Sequence, residues 1–83
     1  MKIYVYAIYN RSNSKIYIGT TNNIEKRLSE HNNKMGIHFT SKFTGRWELI
    51  YKEECENRTK AIQREKQLKG FQGRKFIKKS IPL

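Results

Sequence analysis

Ile3-Tyr4-Val5-Tyr6-Ala7-Ile8-Tyr9, then Asn10-Arg11-Ser12-Asn13-Ser14, then Lys15-Ile16-Tyr17-Ile18-Gly19-Thr20 is the stretch on which the fold turns. Its first segment is β-branched or aromatic at nearly every position. Ile3, Val5 and Ala7 fall on one face and Tyr4, Tyr6 and Ile8 on the other, the pattern of a central strand covered on both sides. The Asn/Ser-rich segment has turn chemistry, so Lys15–Thr20 returns as a second strand and makes a hairpin. Gly19 near its end either permits close approach of a backbone or ligand or merely ends the strand.

Moving outward, Asn22-Asn23-Ile24-Glu25 reads as a capping box, with Asn22 as the cap and Glu25 reaching back, opening a helix to about Asn33. Ile24 and Leu28 mark its core face. At about 100° per residue His31 joins that stripe, with Arg27 on its flank one turn earlier. Asn32 to Gly36 ends the helix, and 36–44 is expected to be an irregular loop that includes His38, to which no role is assigned. Trp47, Leu49 and Tyr51 alternate with Glu48, Ile50 and Lys52 as in a third strand. Asn57 caps a second helix from about Arg58 to Lys69, with Gly70 as its stop, and Phe71 to Lys79 forms a last short helix around Phe76 and Ile77.

The chain has 83 residues, enough for one compact domain, expected to span 1–83. Only about 60–65% of such a chain's surface can be buried, so the core is thin. A hydrophobic content of 36% and an aromatic content of 12% still suit a folded domain better than a basic tail. The net charge of +11 predicts a polyanionic partner, nucleic acid first. From Arg58 onward nine basic residues (Arg58, Lys60, Arg64, Lys66, Lys69, Arg74, Lys75, Lys78, Lys79) face a single acid, Glu65. Such a run is either a solvated helix face or a binding surface. Cys55 is alone, which excludes an intramolecular disulfide and a cysteine-based zinc site. Asp is absent, which argues against centres built on clustered aspartates. No apolar run approaches a membrane span, so a soluble, cytoplasmic protein is expected.

Three features can carry chemistry. With Ala61 at 0° on the second helix, Leu68 lies at about −20° and Glu65 at about +40°, inside the apolar stripe. An inward carboxylate is costly unless paired, here with Arg27 or Arg58, or bound to a metal. Arg27 and His31 stack at i, i+4, where both can reach a phosphate; taken alone, a core-edge histidine is more often structural than catalytic. Tyr4, Tyr6, Tyr9 and Tyr17 crowd the hairpin, mostly as packing, though a tyrosine hydroxyl can serve as a general base when a neighbour lowers its pKa. Phe39, Phe43, Trp47 and Phe71 could stack on unpaired bases, but core packing is the expected use.

The order of these residues resembles a known family. Tyr4-Val5-Tyr6, Tyr17-Ile18-Gly19, Arg27-Leu28-Ser29-Glu30-His31, and Ala61-Ile62-Gln63-Arg64-Glu65 with Leu68-Lys69 are similar to the GIY-YIG nuclease superfamily, in particular its small single-domain bacterial branch, which is akin to the catalytic domain of the nucleotide-excision-repair nuclease subunit. The match runs from about Lys2 to Lys69. Tyr4-Val5 departs from the Gly-Ile of the family's name, while Tyr6 keeps the hydroxyl.

The resemblance implies an α+β fold, a three-stranded antiparallel sheet flanked by helices in the order β-β-α-β-α-(α). It also implies metal-dependent hydrolysis of DNA by an endonuclease of low sequence specificity, selective for DNA structure in repair or recombination. Tyr6 would be the base that activates water, and Tyr17 would support the same network. Arg27 would stabilise charge on phosphorus, and His31 would polarise Tyr6 or position the water. Glu65 would hold a single Mg²⁺ or Mn²⁺. Lys60, Arg64, Lys66, Lys69, Arg74 and Lys75 would hold the DNA backbone nearby. Some relatives carry an Asn a turn or two after the glutamate; the segment from Gly70 to Ile81 has none, and Gln72 is its nearest substitute. With no room for a separate recognition domain, sequence specificity would be low or supplied by a protein partner. The competing expectations are a catalytically inactive nucleic-acid-binding module or adaptor, and a ribosome- or RNA-associated basic protein.

Overall fold

The computed structural model describes residues 2–34 and 38–82. Strand β1 (Ile3–Asn10) pairs antiparallel with β2 (Lys15–Thr21) on one side and with β3 (Trp47–Cys55) on the other, giving the order β2-β1-β3. Helices α1 (Ile24–Asn32) and α2 (His38–Ser41) connect β2 to β3, and α3 (Arg58–Lys69) and α4 (Phe71–Lys78) follow. The expected three-stranded antiparallel sheet with flanking helices is therefore present, with α2 added.

The two faces of β1 explain its composition. Ile3, Val5 and Ala7 join Ile18 under Ala61, Leu68 and Ile77 of α3 and α4. Tyr6 and Ile8 join Trp47 on the opposite face, packed by Tyr17, Ile24, Leu28 and Phe43. A strand buried on both faces needs this near-continuous apolar run. A β-bulge in the β1–β3 pairing falls between Ala7 and Ile8. The simple alternation expected across Trp47 to Lys52 does not survive intact: Trp47 is fully buried and Leu49 is exposed.

Two local expectations are corrected. The cap of α1 is Asn23, not Asn22: its Oδ1 accepts from the Lys26 amide at 3.1 Å. The third helical position is then Lys26, which cannot accept a hydrogen bond, so Glu25 completes no capping box. Thr21 Oγ1 accepts from the Asn23 amide at 3.1 Å and sets the entry of the helix. Within the expected loop, His38–Ser41 is helical; Met35 and Gly36, expected to end α1, lie outside the described residues.

The stop at Gly70 holds, but its backbone is extended (φ −77°) and not left-handed, and it caps both α3 and α4. Gly73 makes that corner possible. A Cβ there would lie 2.2 Å from the Gln67 carbonyl oxygen and 2.3 Å from Leu68 Cα. Asn32 docks α1 onto the sheet, accepting from the Trp47 amide at 2.7 Å and donating to its carbonyl at 3.0 Å. That reciprocal pair fixes the last turn of α1, which carries His31.

Candidate active site

Antiparallel pairing sets Gly19 opposite Tyr6, so the two residues share a face of the sheet with Tyr17. A Cβ on Gly19 would come within 3.0 Å of both Tyr6 Oη and Tyr17 Cε2. What approaches this glycine is neither a backbone nor a ligand but a side chain: its missing Cβ leaves room for the Tyr6 hydroxyl.

That hydroxyl is buried and lies 2.7 Å from His31 Nε2, while His31 Nδ1 lies 2.8 Å from Thr40 Oγ1. His31 is itself fully buried. Burial first, then the Arg27 charge, pushes its pKa down to about 4, so the imidazole is neutral at ordinary pH. In the tautomer that carries its proton on Nδ1, that nitrogen donates to Thr40 Oγ1 and Nε2 accepts from Tyr6 Oη. Burial, reinforced by Tyr17 and Glu65 and opposed by Arg27, pushes the Tyr6 hydroxyl above the usual tyrosine range. Tyr6 is therefore a neutral hydroxyl, and it can take a proton only by passing its own to His31. Lowering of its pKa by a neighbouring cation, the expected route to a tyrosine base, is outweighed by desolvation.

Tyr17 lies against the pair, its ring centroid 4.9 Å from that of His31 and 6.2 Å from that of Tyr6. Arg27 reaches the same place from α1: Nη1 donates to Glu30 Oε1 at 3.2 Å, while the buried Nε has no hydrogen-bond partner among the described residues. An unsatisfied guanidinium N–H is costly and is suited to an incoming anion. Thr20, Thr21 and Asn23 border a polar hollow of about 240 Å³ beside Arg27.

Glu65 on α3 is partly buried, as its place in the stripe requires, but its partner is neither Arg27 nor Arg58. Lys69 Nζ donates to its Oε2 at 2.6 Å. Among the described residues no group of three or more His, Cys, Asp or Glu gathers to bind a metal. The donor set does not suit zinc. A lone carboxylate suits Mg²⁺ or Mn²⁺, hard ions that keep several waters and take phosphate oxygens as ligands.

The basic residues divide into two groups. Lys69 and Arg74 line a cleft with Tyr17, beside the site, together with Lys78, which was not among the candidates. Lys60 pairs with Glu56 at 2.9 Å and Arg64 with Glu53 at 3.0 Å, and both border a separate hollow between α3 and β3. Lys66 is exposed on α3, and Lys75 lies over the Phe71 ring at 5.3 Å. Gln72 is exposed on α4. Thr40, in the region expected to be loop, had no sequence signal; only the fold brings it to His31.

Comparison with known proteins bears on the family and the fold. The sequence pattern described as the GIY-YIG catalytic domain matches residues 2–78. A UPF0213 protein of Staphylococcus saprophyticus is 34% identical over 77 residues, covering 93% of this chain and 92% of that protein. One of Clostridium perfringens is 41% identical over 66 residues, covering 80% and 69%. The solution NMR structure of a UPF0213 protein from Bacillus halodurans superposes with a TM-score of 0.55 at 20% identity, covering 93% of this chain and 82% of that one, a likeness of fold. Among the described residues no helix is long and apolar enough to cross a membrane.

Proposed function

The chain belongs to the GIY-YIG catalytic-domain family, a family of nucleases, and on that footing we propose that it is an endonuclease that hydrolyses DNA phosphodiester bonds with one divalent metal ion. The observation that carries this reading is the buried Tyr6–His31 hydrogen bond of 2.7 Å, with the unpartnered Arg27 Nε beside it.

Hydrolysis needs a proton acceptor for water, compensation of charge on the pentacovalent phosphorus, and a stabilised leaving oxygen. Tyr6 supplies the first: as the water oxygen bonds to phosphorus, Tyr6 Oη accepts the water proton and gives its own to His31 Nε2. Thr40 holds the tautomer that permits this. Arg27 supplies the second through its free Nε–H, with Tyr17 closing the same phosphate pocket. Glu65 would hold Mg²⁺ or Mn²⁺, which would supply electrostatic stabilisation of the leaving 3′-oxygen. Lys69 and Arg74 bind the backbone, so recognition follows shape and charge more than base sequence, in keeping with a substrate defined by its structure in repair or recombination.

A second reading, a binding module without chemistry, has one observation in its favour: Lys69 already occupies one oxygen of Glu65 at 2.6 Å. Two measurements separate the readings. Nicking of labelled duplex, flap and four-way-junction DNA in Mg²⁺ or Mn²⁺ is expected from the wild type and not from Glu65→Ala. A metal-dependent thermal shift is expected to vanish in the same variant. Salt-sensitive binding with neither cleavage nor shift would favour the module.

A further inference from the structure

The cleft beside the site has a volume of about 370 Å³ and runs along the outer strand β2. Its walls include Ile16, Ile18 and Ile77. Phe39 and Tyr17 form its aromatic side, stacked with centroids 5.9 Å apart and planes at 30°. Phe39 also rests against Phe43 at 5.4 Å, yet 44% of it is exposed. A ring held by two others and left half in water presents a fixed π-surface to solvent.

Charge identifies what fits that surface. Lys69, Arg74 and Lys78 border the cleft, and Arg74 Nε donates to the Lys69 carbonyl oxygen at 2.9 Å, which fixes the guanidinium there. A flat apolar surface beside anchored cations complements a flat ring joined to phosphates, as in the aromatic-and-cation grooves that take single strands. Tyr17 belongs both to this cleft and to the cluster around His31, and Lys69 belongs both to it and to the Glu65 pair. A nucleotide lodged in the cleft is therefore next to the phosphate that Arg27 and Glu65 address.

We infer that the cleft receives one unpaired base of the nucleic-acid substrate, stacked on Phe39 beside the scissile phosphate. This rests on the nuclease reading and names what that nuclease selects. A base within a duplex already has both faces stacked on its neighbours, so only a single-stranded or extruded base can enter. The cleft thus favours flaps, gaps and junctions over continuous duplex.

The test uses flap DNA with 2-aminopurine at the first unpaired position, titrated in EDTA so that no cleavage occurs, beside a fully paired duplex of the same length. Wild type and Phe39→Tyr are expected to quench the fluorescence. Phe39→Ala is expected to lose the quench and bind the flap about tenfold more weakly, with duplex affinity unchanged. Lys78→Ala leaves the aromatic pair intact and is expected to keep the quench while making the salt dependence shallower. Circular dichroism verifies the fold of each variant. An unquenched base in the wild type, or equal losses for flap and duplex in Phe39→Ala, would overturn the inference. The readout is independent of catalysis: quenching by a protein that never cuts keeps the cleft and discards the nuclease, and cutting without quenching does the reverse.

Discussion

Tyr6 Oη and His31 Nε2, 25 residues apart in sequence, meet at 2.7 Å in the buried layer between β1 and α1. One side is set by β1 at the centre of the sheet and the other by the Asn32–Trp47 pair that docks α1. Burial keeps both groups neutral, so Tyr6 is a hydroxyl and not a pre-formed phenolate.

A neutral buried histidine makes stability depend on pH. The His31 pKa falls from 6.5 in the unfolded chain to about 4 in the fold, so the unfolded state binds the extra proton between those values. Its contribution is complete above pH 6.5 and is lost as pH falls toward 4, by up to about 3 kcal/mol at roughly 1.4 kcal/mol per pKa unit. Urea melts from pH 7.5 to 4.5 are expected to show this slope in the wild type and a shallower one in His31→Gln.

Thr40→Val keeps the volume and removes the oxygen 2.8 Å from His31 Nδ1. A buried imidazole nitrogen left unpaired costs about 1–3 kcal/mol. Because the tautomer is no longer fixed, cleavage is expected to slow by about tenfold with substrate affinity unchanged. Chemical denaturation and single-turnover cleavage read the two effects separately.

Gly19→Ala tests the close approach on β2. Its Cβ would press on Tyr6 Oη and Tyr17 Cε2 at 3.0 Å, at the ends of side chains that can shift. The expected stability cost is that of mild overpacking, about 1–2 kcal/mol, while a displaced hydroxyl is expected to lower the cleavage rate by about a hundredfold. A melt together with a cleavage assay verifies the disproportion.

Gly73→Ala is expected to do the opposite. Its Cβ meets backbone atoms of Gln67 and Leu68 at 2.2 and 2.3 Å, which cannot move independently of α3. Forcing α4 away uncovers Ile77, fully buried at present, so a loss of at least about 2 kcal/mol is expected. Denaturant unfolding measures it directly.

Sequence periodicity revealed the sheet because β1 needs apolar residues on both faces, and it placed His31, Ala61 and Leu68 inward because helical geometry is local. It placed Glu65 in the stripe correctly but not its partner, since Lys69 lies one turn on along the same helix while Arg27 and Arg58 looked equally reachable. The cap of α1 slipped by one residue because two adjacent asparagines offer the same chemistry. Thr40 and the division of the basic residues into two groups depend on tertiary packing, which no local pattern encodes. Of the aromatics, Trp47 is core, but Phe71 is 75% exposed and Phe39 half so; composition alone could not separate them.

The most direct measurement is single-turnover cleavage of flap DNA in Mn²⁺ by Tyr6→Phe, which removes one oxygen and leaves the ring in place. A folded Tyr6→Phe protein that binds DNA like the wild type but cuts at least about a hundredfold more slowly is the expected result. Cleavage at the wild-type rate would mean that the Tyr6–His31 pair holds the core together and takes no part in the chemistry.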